Sequence, residues 1–236
     1  MKFAVDLHVH TALSPCGDDD MTPNNIVNMA LLKGLDLIAI TDHNSCANVE
    51  AVMEAGRNKG LMVIPGIEVQ SKEEVHLICL FKKLEKALEF GELIYNSLGN
   101  VPNNEELFGK QLILDVSDNV TGKLEKLLLS SSSYSINEIF ELVMTYDGIC
   151  IPAHIDRSSY SIISNLGFIP PGLKLNAVEI SKNSSVETVL EKMPYIKNYK
   201  HIISSDAHYL WNISERAYFI EMEYISTNQL FEALQA

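Results

Sequence analysis

The sequence has no CxxC pair, no long apolar run and no excess of basic charge. Its four cysteines, Cys16, Cys46, Cys79 and Cys150, are scattered over 236 residues. That scatter argues against a disulfide framework and against a closed, cysteine-rich zinc tetrahedron. Cys79 and Cys150 lie in apolar runs and read as core thiols, whereas Cys16 and Cys46 sit beside polar clusters. No stretch approaches the roughly 20 apolar residues that span a bilayer. The opening MKFAVDLHVH holds neither an apolar signal core nor a small-residue cleavage site. A cytoplasmic protein with free thiols and no membrane partner is therefore expected. With a net charge of −13, the chain shows no basic stripe, and extended nucleic-acid binding is not expected. A small phosphorylated substrate, a nucleotide included, remains compatible, because bound divalent cations reverse the field locally.

What is present is an ordinary globular composition, 47% hydrophobic and 21% charged, in a chain long enough to bury a large core in one domain. FAVDLHVH reads as a strand and TPNNIVNMALLKGL as a helix, with Thr22 at the N-cap, Pro23 in the first turn and Gly34 as the stop. DLIAIT, LMVIPGIEV and EVHLICLF read as further strands, with the helix NVEAVMEAGRNKG between the first two. Later come SINEIFELVMTYDG (helix), ICIPAHI and AVEIS (strands), SSVETVLEKM (helix), HIISSDAH and RAYFIEM (strands) and STNQLFEALQ (helix). Strands apolar on both faces, alternating with helices, predict a parallel sheet covered by helices. The core count of about seven strands suits a barrel as well as an open sheet. Residues 82–135 break the rhythm with EKALEFGELIYNSL, GNVPNN, QLILDV and a serine run. A connection that long is a functional loop or an insertion, read here as an excursion serving as a lid.

Six of the seven histidines share one kind of address. His8 and His10 end the first strand, His43 the second, and His154 the strand ICIPAHI; His208 follows IISS, and His76 opens EVHLICLF. His201 alone stands at the beginning of its strand, in YKHIISS, and reads as an ordinary histidine. In a parallel α/β fold the carboxyl ends of all strands open on one rim, so distant histidines converge there. Residues i and i+2 share a strand face, which puts His8 and His10 about 7 Å apart and side by side. Asp206 and His208 repeat that spacing. Carboxylates accompany them: Asp18, Asp19, Asp20, Asp42, Glu68, Asp156 and Asp206. Glu68 ends an apolar strand, where an unpaired charge is costly. Asp42 either ligates directly or holds His43 by a hydrogen bond. The donor count exceeds one tetrahedral zinc and predicts two or three divalent ions, with Zn, Mn or Fe all suited to mixed imidazole and carboxylate ligands. Arg157 in AHIDR has no ligand chemistry, but its guanidinium suits a substrate phosphate.

In order along the chain, DLHVHT, ITDHN, GIE, EVHL, PAHIDR and SSDAH resemble the motifs of the PHP superfamily (polymerase and histidinol phosphatase). The resemblance implies a distorted (β/α)7 TIM-like barrel, here a single catalytic domain over 1–236 with the insertion at 82–135. It also implies a di- or trinuclear metal site at which a metal-activated water hydrolyses a phosphomonoester, a nucleotide or an oligonucleotide end. Carried over by position, the ligands are His8, His10, His43, Glu68, His76, His154, Asp206 and His208. Asp18 is preferred for the acidic residue of the loop after HxH, since it lies four residues before the helix start at Thr22. Glu68 would bridge ions, and His208 or His43 would protonate the leaving oxygen or hold its metal. Two other readings remain at this point. An amidohydrolase-like C–N hydrolase commonly carries a bridging lysine, which no matching strand end supplies here. The intact ligand set and the acidic charge speak against a non-catalytic metal-binding or nucleic-acid accessory domain.

Overall fold

The apolar runs form ten strands in chain order, described here from a computed structural model over Met1–Gln235. They are β1 (Lys2–Val9), β2 (Leu37–Ile40), β3 (Met62–Gln70), β4 (His76–Phe81), β5 (Leu112–Leu114), β6 (Val120–Lys123), β7 (Gly148–Pro152), β8 (Ala177–Ser181), β9 (Lys200–Ser204) and β10 (Phe219–Glu221). The helices are α1 (Pro23–Leu32), α2 (Val49–Lys59), α3 (Leu84–Ser97), α4 (Glu105–Phe108), α5 (Ile136–Thr145), α6 (Ile162–Leu166), α7 (Val186–Lys192) and α8 (Thr227–Gln235).

Six strands join in the order β10-β1-β2-β3-β4-β7, and β8 pairs with β9 separately. Backbone bonds at both free ends then close the ring. Ile155, just beyond β7, donates to the Glu179 carbonyl of β8 at 2.9 Å, and His10, just beyond β1, donates to Ala207 after β9 at 3.0 Å. The buried Asp6 carboxylate tightens the same seam, accepting from Ser205 and Ser214 amides at 2.9 Å each. Strands β1, β2, β3, β4, β7, β8 and β9 thus make a distorted TIM-like barrel, with β10 covering the first half of β1. α8 closes the bottom by adding Leu230, Phe231 and Leu234 to the interior cluster. Each such fully buried side chain contributes about 1.5–3 kcal/mol.

Two departures from a regular parallel barrel position the site. Strand β4 runs antiparallel to β3, and β7 antiparallel to β4. The five residues 71–75 between β3 and β4 form a hairpin turn, and a parallel crossover needs a dozen or more. The all-parallel expectation fails here for that reason. The second departure is in β1. Leu7 packs inside the barrel with Val5, Ala39 and Ile78, whereas Val9 packs under the helices with Ile38 and Ile40. Strict alternation would put residues 7 and 9 on one face. The pairing Asp6↔Ile38 followed by Val9↔Ile40 carries one extra residue in β1. This β-bulge re-aims the end of the strand, so the apolar lower half and His8 and His10 above it all point inward.

Within 82–135, α3 belongs to the helical layer, where Ala87, Phe90 and Ile94 are buried in the main core. The rest carries α4 and the β5–β6 hairpin, which lie on the loop after β1. Leu112 donates to the Ala12 carbonyl at 2.9 Å, and Asn48 joins Leu112 and Leu114 by its side chain. The hairpin also caps α1. Thr22 occupies the N-cap, but its hydroxyl makes no cap bond, correcting the expected role; the Asp118 carboxylate accepts from the Asn24 amide at 2.9 Å instead. Gly109 has φ +94°, and a methyl there would overlap the Pro15 carbonyl. Gly109→Ala should therefore lower stability by about 1–3 kcal/mol. Gly122→Ala, where the new carbon meets only the Ile113 side chain at 3.6 Å, should be close to neutral in the same denaturant titration.

Candidate metal centre

The rim gathers its donors from six strands. His8 and His10 follow the bulge; His43 follows β2 and is bridged to Glu68 of β3. His76 begins β4, whose reversed direction brings its first residue to the rim where the other strands end. His154 follows β7, and Asp206 and His208 follow β9. His154 and Asp206 hold left-handed backbone at φ 31° and 52°. Such conformations cost on the order of 1–3 kcal/mol each for residues other than glycine, and they gather at functional sites.

Glu68 is the hub. Its carboxylate lies 2.8 Å from His43 Nδ1, 3.0 Å from His76 Nδ1, 3.3 Å from His8 Nε2, 3.4 Å from His154 Nε2 and 3.5 Å from His10 Nε2. Asp206 Oδ1 lies 3.0 Å from His10 Nε2 and 3.3 Å from His8 Nε2. Both Glu68 oxygens are nevertheless buried without any contact of hydrogen-bond geometry. Close but misaligned nitrogens around an orphaned carboxylate are what a ligand shell looks like, since lone pairs rather than N–H bonds converge. Three overlapping groups have their donor atoms within 4.8 Å: His8, His10, Glu68 and Asp206; His43, Glu68 and His76; and His10, His43 and His208. A purely N and O donor set of this kind fits divalent cations.

A second ring of side chains fixes which nitrogen faces inward. The Glu179 carboxylate sits 3.1 Å from His8 Nδ1 with both oxygens and also accepts from the His154 amide at 2.9 Å. Ser14 Oγ donates to Asp42 at 2.7 Å and therefore accepts from His10 Nδ1 at 2.9 Å, which leaves the lone pair of His10 Nε2 facing Glu68 and Asp206. His208 Nδ1 donates to the Asp206 carbonyl at 3.0 Å. Burial disfavours the His8 imidazolium, but Glu179, Asp206 and Glu68 outweigh it and hold its pKa well above the usual value. His43 is likewise raised against burial, chiefly by Glu68. Burial pushes Glu68 up, yet His76, His8 and His43 hold it well below the carboxylate range. Burial and the neighbouring His208 and His43 push His10 well down.

Of the nine ligands carried over by position, Asp18 alone stays outside the cluster. Its carboxylate accepts from the Asp20 amide at 2.9 Å in a turn of its own loop, while Asp19 pairs with Lys110 at 2.5 Å. The loop residue that faces His43 and His208 is Cys16. Partial burial raises its thiol pKa, but the charge of His43 and contact with His208 outweigh that and bring it to about 6. Asp42 holds Thr11 and Ser14 rather than facing the cluster, and Asp156 accepts from Ser181 and Ser184. His201 sits apart against the Ile196 carbonyl. Arg157 reaches Asp206 Oδ2 at 2.5 Å with a half-exposed side chain. Glu179, in AVEIS, went unread; a lone glutamate in an apolar strand carries the same signal that marked Glu68. A cleft of about 250 Å³ opens over the cluster, with Leu129 from the long 82–135 segment on its wall. A larger hollow of about 560 Å³ lies beside α5 and is lined by none of the predicted donors. Among the described residues no helix is long and apolar enough to cross a membrane.

A family profile for the PHP domain matches residues 6–164. A phosphoribosyl 1,2-cyclic phosphate 1,2-diphosphodiesterase of Eggerthella lenta is 32% identical over 80 residues, 32% of this chain and 29% of that protein. The 5'-3' exoribonuclease Rnm of Salmonella typhimurium is 35% identical over 80 residues, 32% of this chain and 26% of that protein. A lesion-specific endonuclease from Pyrococcus furiosus superposes with a TM-score of 0.73 at 17% identity, over 100% of this chain and 56% of that one. The matched portions thus span well under two thirds of these relatives.

Two outcomes follow from the geometry. Glu179→Gln should weaken metal binding about 10–100-fold, whereas Asp18→Asn should leave it unchanged in the same competition titration. The second concerns pH. Groups raised in the folded state, His8 and His43, stabilise the metal-free protein fully below their unfolded value of 6.5, and the contribution is lost as pH rises through the folded values. Glu68, depressed, contributes above 4.5 and loses that as pH falls through its folded value. The melting temperature of metal-free protein should therefore peak in mildly acidic buffer. Loading with metal should move the peak to higher pH, since ions displace these protons.

Proposed function

The chain belongs to the PHP domain family, and from that footing we propose that it is a metal-dependent phosphoesterase acting on nucleotides or nucleic-acid ends. The observation that carries this reading is the orphaned, buried Glu68 carboxylate ringed by five imidazoles. His8, His10, His43, Glu68, His76, His154, Asp206 and His208 would hold two or three divalent ions. Glu68 belongs to two of the donor groups and would be shared between ions. Bound there, such ions lower the pKa of a coordinated water toward neutrality and neutralise phosphoryl oxygens.

The chain's own groups supply the rest. Arg157 stands at the cleft with part of its guanidinium on Asp206, and its remaining N–H donors suit a phosphate oxygen. His208 lines the same cleft, and its side chain, at 19% exposed, is more open than that of His8, His10, His43 or His76. In the metal-free protein burial lowers its pKa, but Cys16 and Asp206 outweigh that and raise it. With Nδ1 on the Asp206 carbonyl, its Nε2 would either hold an ion or protonate the leaving oxygen, with His43 beside it. Glu179, Ser14 and Asp42 keep His8 and His10 in the tautomers that face inward. Leu129 and its neighbours would act as a fixed wall of the substrate site.

Composition alone favoured a small substrate. Two of the three similar proteins described above are nucleases by name, and bound cations would offset the chain's acidity at the cleft, so nucleic-acid termini enter the proposed class. Metal analysis of freshly purified protein should find at least two equivalents, and a phosphoester panel on the same sample should show turnover. His8→Ala combined with His10→Ala should lose both metal and turnover. Undiminished hydrolysis by that double variant would sink the proposal.

A further inference from the structure

We infer that Tyr160 is a specificity-determining residue, a stacking platform at the mouth of the cleft that selects phosphoesters carrying a flat group, such as a nucleobase, beside the phosphate. The inference rests on the phosphoesterase reading and narrows its substrate class. Tyr160 lines the cleft together with Arg157, His76, His154 and His208. Its ring stacks on His76 with centroids 4.7 Å apart and planes 19° from parallel. His76 is 8% exposed beneath it, while Tyr160 is 45% exposed. One face of the phenol ring is thus covered by His76, and the residue remains exposed where it lines the cleft.

The ring is held in place at a cost. Tyr160 has φ 55°, a left-handed conformation that a bulky side chain rarely adopts. The His76 amide donates to the Tyr160 carbonyl at 2.9 Å. The next residue, Ser161, caps α6, and its hydroxyl also contacts the Arg157 carbonyl at 3.0 Å. One loop, tied to His76 and to its own helix by these bonds, therefore presents a cation and an aromatic ring side by side on the cleft wall. A cation for phosphate beside an open aromatic face is the pairing that recognises a nucleotide unit: bases stack on aromatic rings whatever their identity, while the charge takes the backbone. A ring that only shielded His76 from water would affect all substrates alike, and the test exploits that difference.

Adenosine 5′-monophosphate and ribose 5-phosphate share the phosphate and sugar and differ in the base. Titration calorimetry with metal-loaded protein gives Kd for each, and steady-state kinetics give KM and kcat. The wild type should prefer the adenylate by about tenfold or more, the effect of about 1.4 kcal/mol of stacking. Tyr160→Ala should erase that preference through the adenylate alone, leaving ribose 5-phosphate within about twofold. Tyr160→Phe, and Trp211→Ala outside the cleft, should keep it. Equal loss for both compounds in Tyr160→Ala, or equal binding of both by the wild type, overturns this inference and leaves the phosphoesterase reading standing. Failure of the wild type to bind either compound overturns both.

Discussion

A carboxylate that is 1% exposed and has no hydrogen bond of its own sets the terms for the rest of the molecule. Isolated burial of such a charge is prohibitive unless positive charge surrounds it. Glu68 meets that demand with imidazoles from β1, β2, β4 and β7, so the strands cannot drift apart without exposing the imbalance. In the metal-free state the neighbouring carboxylates, Glu68 among them, favour protons on His8 and His43 against the effect of burial. Divalent cations at the same donor atoms would take over the role of those protons.

The backbone reaches this arrangement by two local irregularities. Without the extra residue in β1, either the apolar lower half or the histidine-bearing upper half would face the wrong side of the sheet. Without the tight turn between β3 and β4, His76 would stand at the opposite end of the barrel. Both are small events in sequence, one inserted residue and one short loop, yet each decides where an imidazole points. The helical layer and the interior cluster then hold the irregular strands in register.

Much of this was legible before any coordinates. Strand-end histidines, the i, i+2 pairs and a glutamate in an apolar run identify the rim because charged and imidazole groups are expelled from such strands unless something binds them. The barrel was legible as alternation, but strand direction was not, because apolar strands read alike in either sense and only the length of residues 71–75 distinguishes them. Three adjacent aspartates look equivalent in sequence, and only the turn in which the Asp18 carboxylate accepts from the Asp20 amide distinguishes the one that stays outside the cluster. Cys16 and Ser14 were not identified as part of the site. Each is a small polar residue in a loop, and loop conformation depends here on a hairpin nearly a hundred residues away. Glu179 shows the opposite lesson: its signal was present, and only its lack of a histidine neighbour hid it.

The seam between β9 and β1 gives the site a mechanical meaning. The sheet is not continuous there; a few amides, the Asp6 carboxylate and the Glu179 carboxylate join the two sides. Asp206 and His208 approach from one side of that gap, and His8 and His10 from the other. Whatever occupies the cluster would therefore draw donors from both sides of that gap and act as a clasp on the barrel's circumference.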